Sequence, residues 1–253
     1  MKVTILQNDI LWRDTDSNLQ RAEKALEANP GADLYVFPEM FSIGFCVEPE
    51  GVAESADGKT LAWMKAQAAQ VGAAVAGSVP VCEDGRYYNR FYFVRPDGTC
   101  EKYDKKHLFT YGGEHNHFTA GDERVVVEYK GVRILLEICY DLRFPIWSRN
   151  RGDYDMIIYV ASWPTPRVEA WKALLTARAI ENQSYVAGVN RVGDDPSNTY
   201  CGGSRIIDPY GKIIAVCEDG VEMAVSAEVD MNMLEEFRKK FPVLNDADYE
   251  DFQ

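Results

Sequence analysis

Two spacings of apolar residues alternate along the chain, and the changes from one to the other outline its elements. Val3 to Gln7 is a short apolar run, which predicts a strand. In "DSNLQRAEKALEANPG" Leu19, Ala22 and Leu26 recur at helical spacing; Asp16 or Ser17 can cap the start, and Pro30-Gly31 ends the segment. "DLYVFPEM" returns to a strand pattern and stops at Pro38. "KTLAWMKAQAAQVG", closed by Gly72, predicts a second helix, and "AAVAGSVP" a third strand. Aromatic and polar residues alternate in "RYYNRFYFVRP" and "CEKYDKKHLF" on either side of Pro96-Asp97-Gly98, which is the pattern of a hairpin. "RVVVEY" and "VRILLEIC" form another about Lys130-Gly131. The apolar strand "DMIIYVAS" precedes the helix "VEAWKALLTARAIENQ", which keeps Trp171, Leu175 and Ala179 on one face. "SYVAGVNRV", a strand pair about Pro-Tyr-Gly in "GGSRIIDPYGKIIAVC", and "VEMAVSAEVD" follow. A last helix, "NMLEEFRKKF", leads into an acidic tail from about residue 243.

The order reads βαβαβββ, then ββαβββ and a final helix. Many strands with few amphipathic helices predict an α/β fold of layered sheets with helices on the outer faces. The halves match in element order without a sequence repeat. No linker or low-complexity stretch divides them, so one domain is expected over 1–253.

Composition narrows the function. At 253 residues and 46% apolar, the chain has enough material for a sizeable core. Lys and Arg number 27 against 40 Asp and Glu, a formal net charge of −13, which argues against nucleic acid or an anionic membrane as partner. The start, "MKVTILQNDILWRD", lacks the apolar core and cleavage site of a secretory signal. No segment approaches the ~18–20 apolar residues of a membrane span. Cys46, Cys82, Cys100, Cys139, Cys201 and Cys217 include no C-x-x-C pair and read as free thiols in a reducing compartment, so a cytoplasmic location is expected.

Candidate chemistry lies at strand tips. "ILLEICYDLRFP" ends an apolar run with Cys139, then Tyr140, Asp141 and Arg143. "LYVFPEMF" ends one with Glu39, and "YDKKHLF" ends one with Lys105 and Lys106. Ligands of α/β sheets sit at strand ends, so three such tips suggest one site. A thiol with its ordinary pKa near ~8.5 needs a base or a positive neighbour to become a nucleophile. Taken singly, each residue also fits a bland role: a solvated loop for Glu39, a solvated face for the lysines, a core position for Cys139. "GEHNH" offers a competing metal reading, because alternate strand residues would aim His115 and His117 together, with Glu114 and Cys139 as further ligands. No second ligand pair accompanies them. His107 is the remaining candidate base.

Six segments, in order, resemble the nitrilase superfamily of carbon–nitrogen hydrolases: "FPEMF" (37–41), "YDKKHLF" (103–109), "CYDLRFP" (139–145), "ASWP" (161–164), "RAIENQSYVAG" (178–188) and "GGSRIIDPYGKII" (202–214). The likeness spans essentially the whole chain. It is strongest to bacterial ω-amidases of the YafV type, through "EMFSIGF", "EHNHFTAG", "CYDLRFPIWSRN" and "YVASWPTPR". The resemblance implies a four-layer αββα sandwich with pseudo-twofold halves, usually paired as a homodimer. It also implies a Glu-Lys-Cys triad with no metal or organic cofactor. Carried over by position, Glu39 is the base, Lys105 rather than Lys106 the lysine, Cys139 the nucleophile, and Glu114 a supporting acid that orients the lysine. His107 falls where the family places a structural residue.

The implied activity is hydrolysis of the ω-amide of short dicarboxylate monoamides, α-ketoglutaramate or α-ketosuccinamate, to the keto acid and ammonia. The backbone N–H of Tyr140 is an oxyanion donor. Arg143, Arg167, Trp163 and Phe41 are expected to contact substrate, an arginine fork suiting a carboxylate. Asp141 and Glu181 read as structural. An N-carbamoyl amino acid hydrolase, another amidase of the superfamily, and a non-catalytic binding protein on the same fold are the competing readings. One position departs from the pattern: Glu137 stands where relatives carry Gly or an apolar residue. Period-2 alternation places it on the face of Cys139, where an unpaired carboxylate would raise the thiol pKa.

Overall fold

A computed structural model of the chain describes residues 1–247. The acidic tail expected from about 243 therefore falls partly outside the described residues. In the first half the elements are β1 (Lys2–Gln7), α1 (Thr15–Ala28), β2 (Leu34–Val36), β3 (Glu54–Ser55), α2 (Lys59–Val71), β4 (Ala74–Glu83), β5 (Arg86–Val94) and β6 (Cys100–Asp104). In the second they are β7 (Val126–Tyr129), β8 (Val132–Ile138), α3 (Pro145–Ser148), β9 (Met156–Ala161), α4 (Val168–Asn182) and β10 (Tyr185–Asn190). After these come β11 (Val192–Asp194), β12 (Thr199–Cys201), β13 (Arg205–Ile207), β14 (Ile213–Val216), β15 (Met223–Glu228) and α5 (Met231–Lys240).

Two sheets carry the fold. The first runs β15-β1-β2-β4-β5-β6, with β3 beside β4, and the second β14-β13-β10-β9-β8-β7. Each has three parallel strands, β1-β2-β4 or β8-β9-β10, with one antiparallel strand on one side and an antiparallel pair on the other. This is the pseudo-twofold correspondence expected from the element order. The chain crosses back once, because β15 completes the sheet that β1 begins.

Period-2 alternation sorts the strand side chains between two cores. Val3, Ile5, Val36, Phe91 and Phe93 of the first sheet meet Ile134, Leu136, Ile158 and Val189 of the second in the inter-sheet core. The opposite faces pack on helices: Tyr35, Val75 and Val81 against Leu19, Leu26 and Met64 of α1 and α2, and Leu135, Ile157 and Val186 against Trp171 and Leu175 of α4. The four layers are thus α, β, β, α.

Three local expectations change. Asp14, not Asp16 or Ser17, caps α1 by accepting from Ser17 N at 3.1 Å. β4 does not stop near Pro80 but runs to Glu83, because Asp84 (φ 51°) and Gly85 (φ 74°) close a tight turn into β5. Residues 110–116 form short 3-10 turns rather than a strand, so His115 and His117 have no strand alternation to align them. Among the described residues no helix is long and apolar enough to cross a membrane.

Candidate active site

Strand ends from both sheets meet over the inter-sheet core. Glu39 follows β2, Lys105 follows β6, Cys139 follows β8, and Ser162 and Trp163 follow β9. Cys139 adopts φ 47°, a left-handed conformation that costs a non-glycine residue about 1–3 kcal/mol. Asp141, fully buried, holds that bend. It accepts from Ile138 N (2.9 Å) and Tyr103 Oη (2.8 Å) on one oxygen. On the other it meets His107 N (2.9 Å) and His107 Nδ1 (2.8 Å). One carboxylate thereby ties the Cys139 turn to the segment that carries Lys105. His107 is spent on this tie and stacks on Phe144 at 3.8 Å.

Lys105 sits between two acids, and all three side chains are buried. Its Nζ donates to Glu39 Oε1 at 2.9 Å and to Glu114 Oε2 and Oε1 at 2.9 and 3.1 Å. These three acceptors use the three hydrogens of an ammonium. Glu39 Oε2 accepts from Ser162 N at 2.8 Å, and Glu114 Oε2 accepts from Phe109 N at 2.6 Å. Asn89 Nδ2 bridges the two carboxylates, 2.8 Å from Glu39 Oε1 and 3.2 Å from Glu114 Oε1. Burial alone would lower the lysine pKa, but the two carboxylates outweigh it and hold the ammonium charged well above the usual lysine range. Burial raises Glu114, and the charge of Glu39 adds to it, against the pull of Lys105. Burial and Glu39 push the Cys139 thiol well above its ordinary value, while Lys105 and the Ser162 N–H counteract. The resting sulfur is therefore a thiol that needs a base. Lys106 points elsewhere, over the ring of Trp147.

A cleft opens onto Cys139 and Lys105, walled by Phe45, Phe109, Tyr140 and Trp163. Arg143 lies over Trp163 (4.9 Å) and Arg167 over Phe109 (5.4 Å), and both line the cleft. Trp163 is fixed from behind, its Nε1 donating to Arg167 O at 2.8 Å. Among the described residues neither guanidinium has a carboxylate partner.

Three expected placements need correction. Phe41 does not line the cleft: it stacks on Phe37 at 4.8 Å and packs beside Trp63 in the helix-side core, and Phe45 takes the wall position. Met40, with φ 47°, bends the chain just before it. Glu114, His115, His117 and Cys139 do not converge: Glu114 faces Lys105, and His117 Nδ1 meets Glu50 at 3.2 Å. Among the described residues no three His, Cys, Asp or Glu side chains group as metal ligands. The alternation that was to align Glu137 with Cys139 ends at Ile138, because the chain bends at Cys139 (φ 47°), and the thiol packs against both the inter-sheet and the helix-side core. Glu137 is fully buried, and neither carboxyl oxygen has a hydrogen-bond partner among the described residues. Burial and nearby Asp141 raise its pKa well above the usual range, against Arg124 and Arg178.

Asn89, Ser162, Phe45 and Phe109 were not singled out from sequence. Asn89 left a readable trace: it shares parity with Phe91 and Phe93, which face the inter-sheet core. A polar residue in that row is an inward one. Glu181 bonds Arg178 at 2.7 Å on its own helix, a structural pairing.

The chain is similar to known proteins along nearly its whole length. The carbon–nitrogen hydrolase family profile matches residues 2–239. The omega-amidase YafV of Escherichia coli K12 is 49% identical over 98% of this chain and 97% of its own. The 2-oxoglutaramate amidase of Bacillus subtilis is 39% identical over 97% of this chain and 98% of its own. A solved CN-hydrolase superfamily protein of Xanthomonas campestris, with an arsenic adduct in its active site, superposes with a TM-score of 0.95 at 41% identity, covering 98% of this chain and 97% of that one. Matched along nearly its whole length by profile, sequence and fold, the chain belongs to the carbon–nitrogen hydrolase family.

Proposed function

We propose that the protein is an ω-amidase that cleaves short dicarboxylate monoamides, α-ketoglutaramate or α-ketosuccinamate, to the keto acid and ammonia through a cysteine thioester. The observation that carries this reading is the pair Arg143 and Arg167. In a chain of net charge −13, two guanidiniums without acid partners among the described residues line the cleft that holds Cys139. A carboxylate on the far end of a short amide would satisfy one or both. The names of the Escherichia coli and Bacillus subtilis relatives support the same substrate class.

The chemistry follows from the resting thiol. Glu39 takes the proton of Cys139 as the sulfur attacks the amide carbon, assistance worth typically ~10²–10⁴-fold. Charge collects on the carbonyl oxygen. The Tyr140 N–H, in the first turn of a 3-10 segment, is a donor to it. Lys105 supplies positive charge. Once Glu39 is protonated it holds the lysine hydrogen less strongly, and that hydrogen turns to the oxyanion. The Glu39 proton then passes to the departing nitrogen, the C–N bond breaks, and ammonia leaves. Water, deprotonated by Glu39, attacks the thioester; the C–S bond breaks and the thiol recovers its proton. No metal or organic cofactor takes part in this scheme.

The test compares α-ketoglutaramate with a neutral amide of equal length, in wild type and in Arg143→Gln. The keto acid amide should win by kcat/KM in wild type and lose that advantage in the variant. Equal turnover of the neutral amide, or preference for N-carbamoyl amino acids, would leave only the family assignment standing.

The same reading takes residues 1–253 as one hydrolase domain, since both halves contribute to the inter-sheet core, and places it in the cytoplasm, where its six free cysteines would stay reduced. It also takes the protein as a homodimer. Ile180, Tyr210 and Phe241 are exposed apolar residues on one face, with Tyr210 and Phe241 both next to Phe237. Light scattering should give twice the 28.6 kDa of the chain; the single-chain mass would refute the dimer.

A further inference from the structure

We propose that Asn89 is a positioning residue that selects which oxygen of Glu39 acts as the base: it fills Oε1 and leaves on Oε2 the single acceptor site open to Cys139. The proposal rests on the reading of Cys139 as nucleophile and Glu39 as base. An ionised carboxylate offers about four lone-pair sites. On Glu39, Oε1 accepts from Asn89 Nδ2 at 2.8 Å and from Lys105 Nζ at 2.9 Å, which uses both of its sites. Among the described residues Oε2 accepts only from Ser162 N, at 2.8 Å, so one site remains. Ser162, whose N–H binds Oε2, lines the same cleft as Cys139, and the thiol is taken to approach from that side.

The Asn89 amide is not there for its own stability. It is fully buried, and its Oδ1 has no partner among the described residues. A buried amide with half its capacity unmet is kept for its donors. Its orientation is fixed, because a flipped amide would set Oδ1 against two carboxylate oxygens. The NH₂ group reaches Glu39 and Glu114 at once and closes a ring with Lys105, which bridges the same two acids from the other side. Because Asn89 is neutral, it adds donors without adding charge. Without its N–H groups the two acids would hold their charge less well beside the single ammonium, and a proton would bind the pair more readily.

Asn89→Leu removes the donors at similar volume. Its expected signature is a kcat lower by about 10–100-fold with KM changed less than about threefold, a part of the ~10²–10⁴-fold that general-base assistance supplies. Alkylation of Cys139 by iodoacetamide should slow by a similar factor. The decisive comparison is made in Glu39→Gln: there Asn89→Leu should change the alkylation rate less than about twofold, because non-additivity is the mark of residues acting as a unit. Equal slowing in both backgrounds, or a rise in KM with kcat intact, would overturn the proposal. If the Leu variant does not fold, Asn89→Ala removes the donors without adding bulk or charge, and the same pair of backgrounds decides. Cys139→Ala separates the two levels: ammonia release by that variant sinks the nucleophile reading itself, whereas an inactive Cys139→Ala with additive Asn89 effects sinks only the role of Asn89.

Discussion

Replacing Lys105 by Met removes one charge at nearly constant length and separates what the lysine does for the fold from what it does for the reaction. Its Nζ reaches Glu39 Oε1 and Glu114 Oε2 at 2.9 Å, and none of these side chains is exposed. Breaking a buried ion pair by removing one partner costs about 3–5 kcal/mol. At about 2–4 °C per kcal/mol for a chain of this size, Tm should fall by roughly 6–20 °C. The sign with pH is determined. The Lys105 pKa is raised by folding, so its contribution is complete below the ordinary lysine value and is lost only as pH rises through the folded one. The Glu114 pKa is also raised, so its charge destabilises the native state as pH climbs from the ordinary carboxylate value through the folded one. In Lys105→Met the stability deficit should thus grow as pH rises from the ordinary carboxylate range to pH 8, as Glu114 ionises without its partner. Differential scanning fluorimetry across that range measures it. Adding Glu114→Gln should restore most of the stability and none of the activity, which should be down at least about 10²–10³-fold from loss of transition-state charge stabilisation. A single variant as stable as wild type at pH 8, or a double variant that regains turnover, would refute the reasoning.

Cys139→Ala should abolish ammonia release with the circular dichroism unchanged, while Ala at Cys46, Cys82, Cys100, Cys201 or Cys217 should leave it intact; activity above a few per cent in Cys139→Ala contradicts the assignment. Lys106→Met should retain most activity, since Lys106 lies over Trp147 and away from the acids. Glu137→Gln keeps the size of a buried side chain whose charged form folding disfavours, so turnover should hold. Because folding raises the Glu137 pKa, wild type loses stability as pH rises from the ordinary carboxylate range through the folded value, so the Gln variant should gain a relative Tm advantage that grows with pH and is absent at acid pH.

The strand tips that carry Glu39, Lys105 and Cys139 were legible because an apolar run broken by one charged or thiol side chain is a local pattern. The lysine register was legible for the same reason: Tyr103 and Lys105 share parity, and Tyr103 faces the inter-sheet core. What failed is what left-handed residues do to parity. The φ of 47° at Cys139 ends the alternation that was to align Glu137 with it, and the same φ at Met40 precedes the turn that sends Phe41 into the helix-side core. β3, β11 and β12, of two or three residues each, are too short to show any period. The extension of β4 was readable in Asp84-Gly85, a hairpin dipeptide hidden behind Pro80. Asn89 was obscured by its aromatic neighbours, whose alternation read as a half-exposed hairpin.

The division of the site between the two sheets has a practical consequence. The proposed base, its lysine and Asn89 lie before residue 106, whereas the sulfur, Tyr140 and the Ser162 N–H lie after residue 138. A chain cut in the 106–125 connection would yield one fragment with acid–base groups and no nucleophile, and another with a nucleophile and no base. The second fragment would still bring β15, the strand that docks on β1, as a built-in clasp. Ammonia released from a mixture of the two would report reassembly of the inter-sheet core against no background from either part, making the split chain a sensor of its own association.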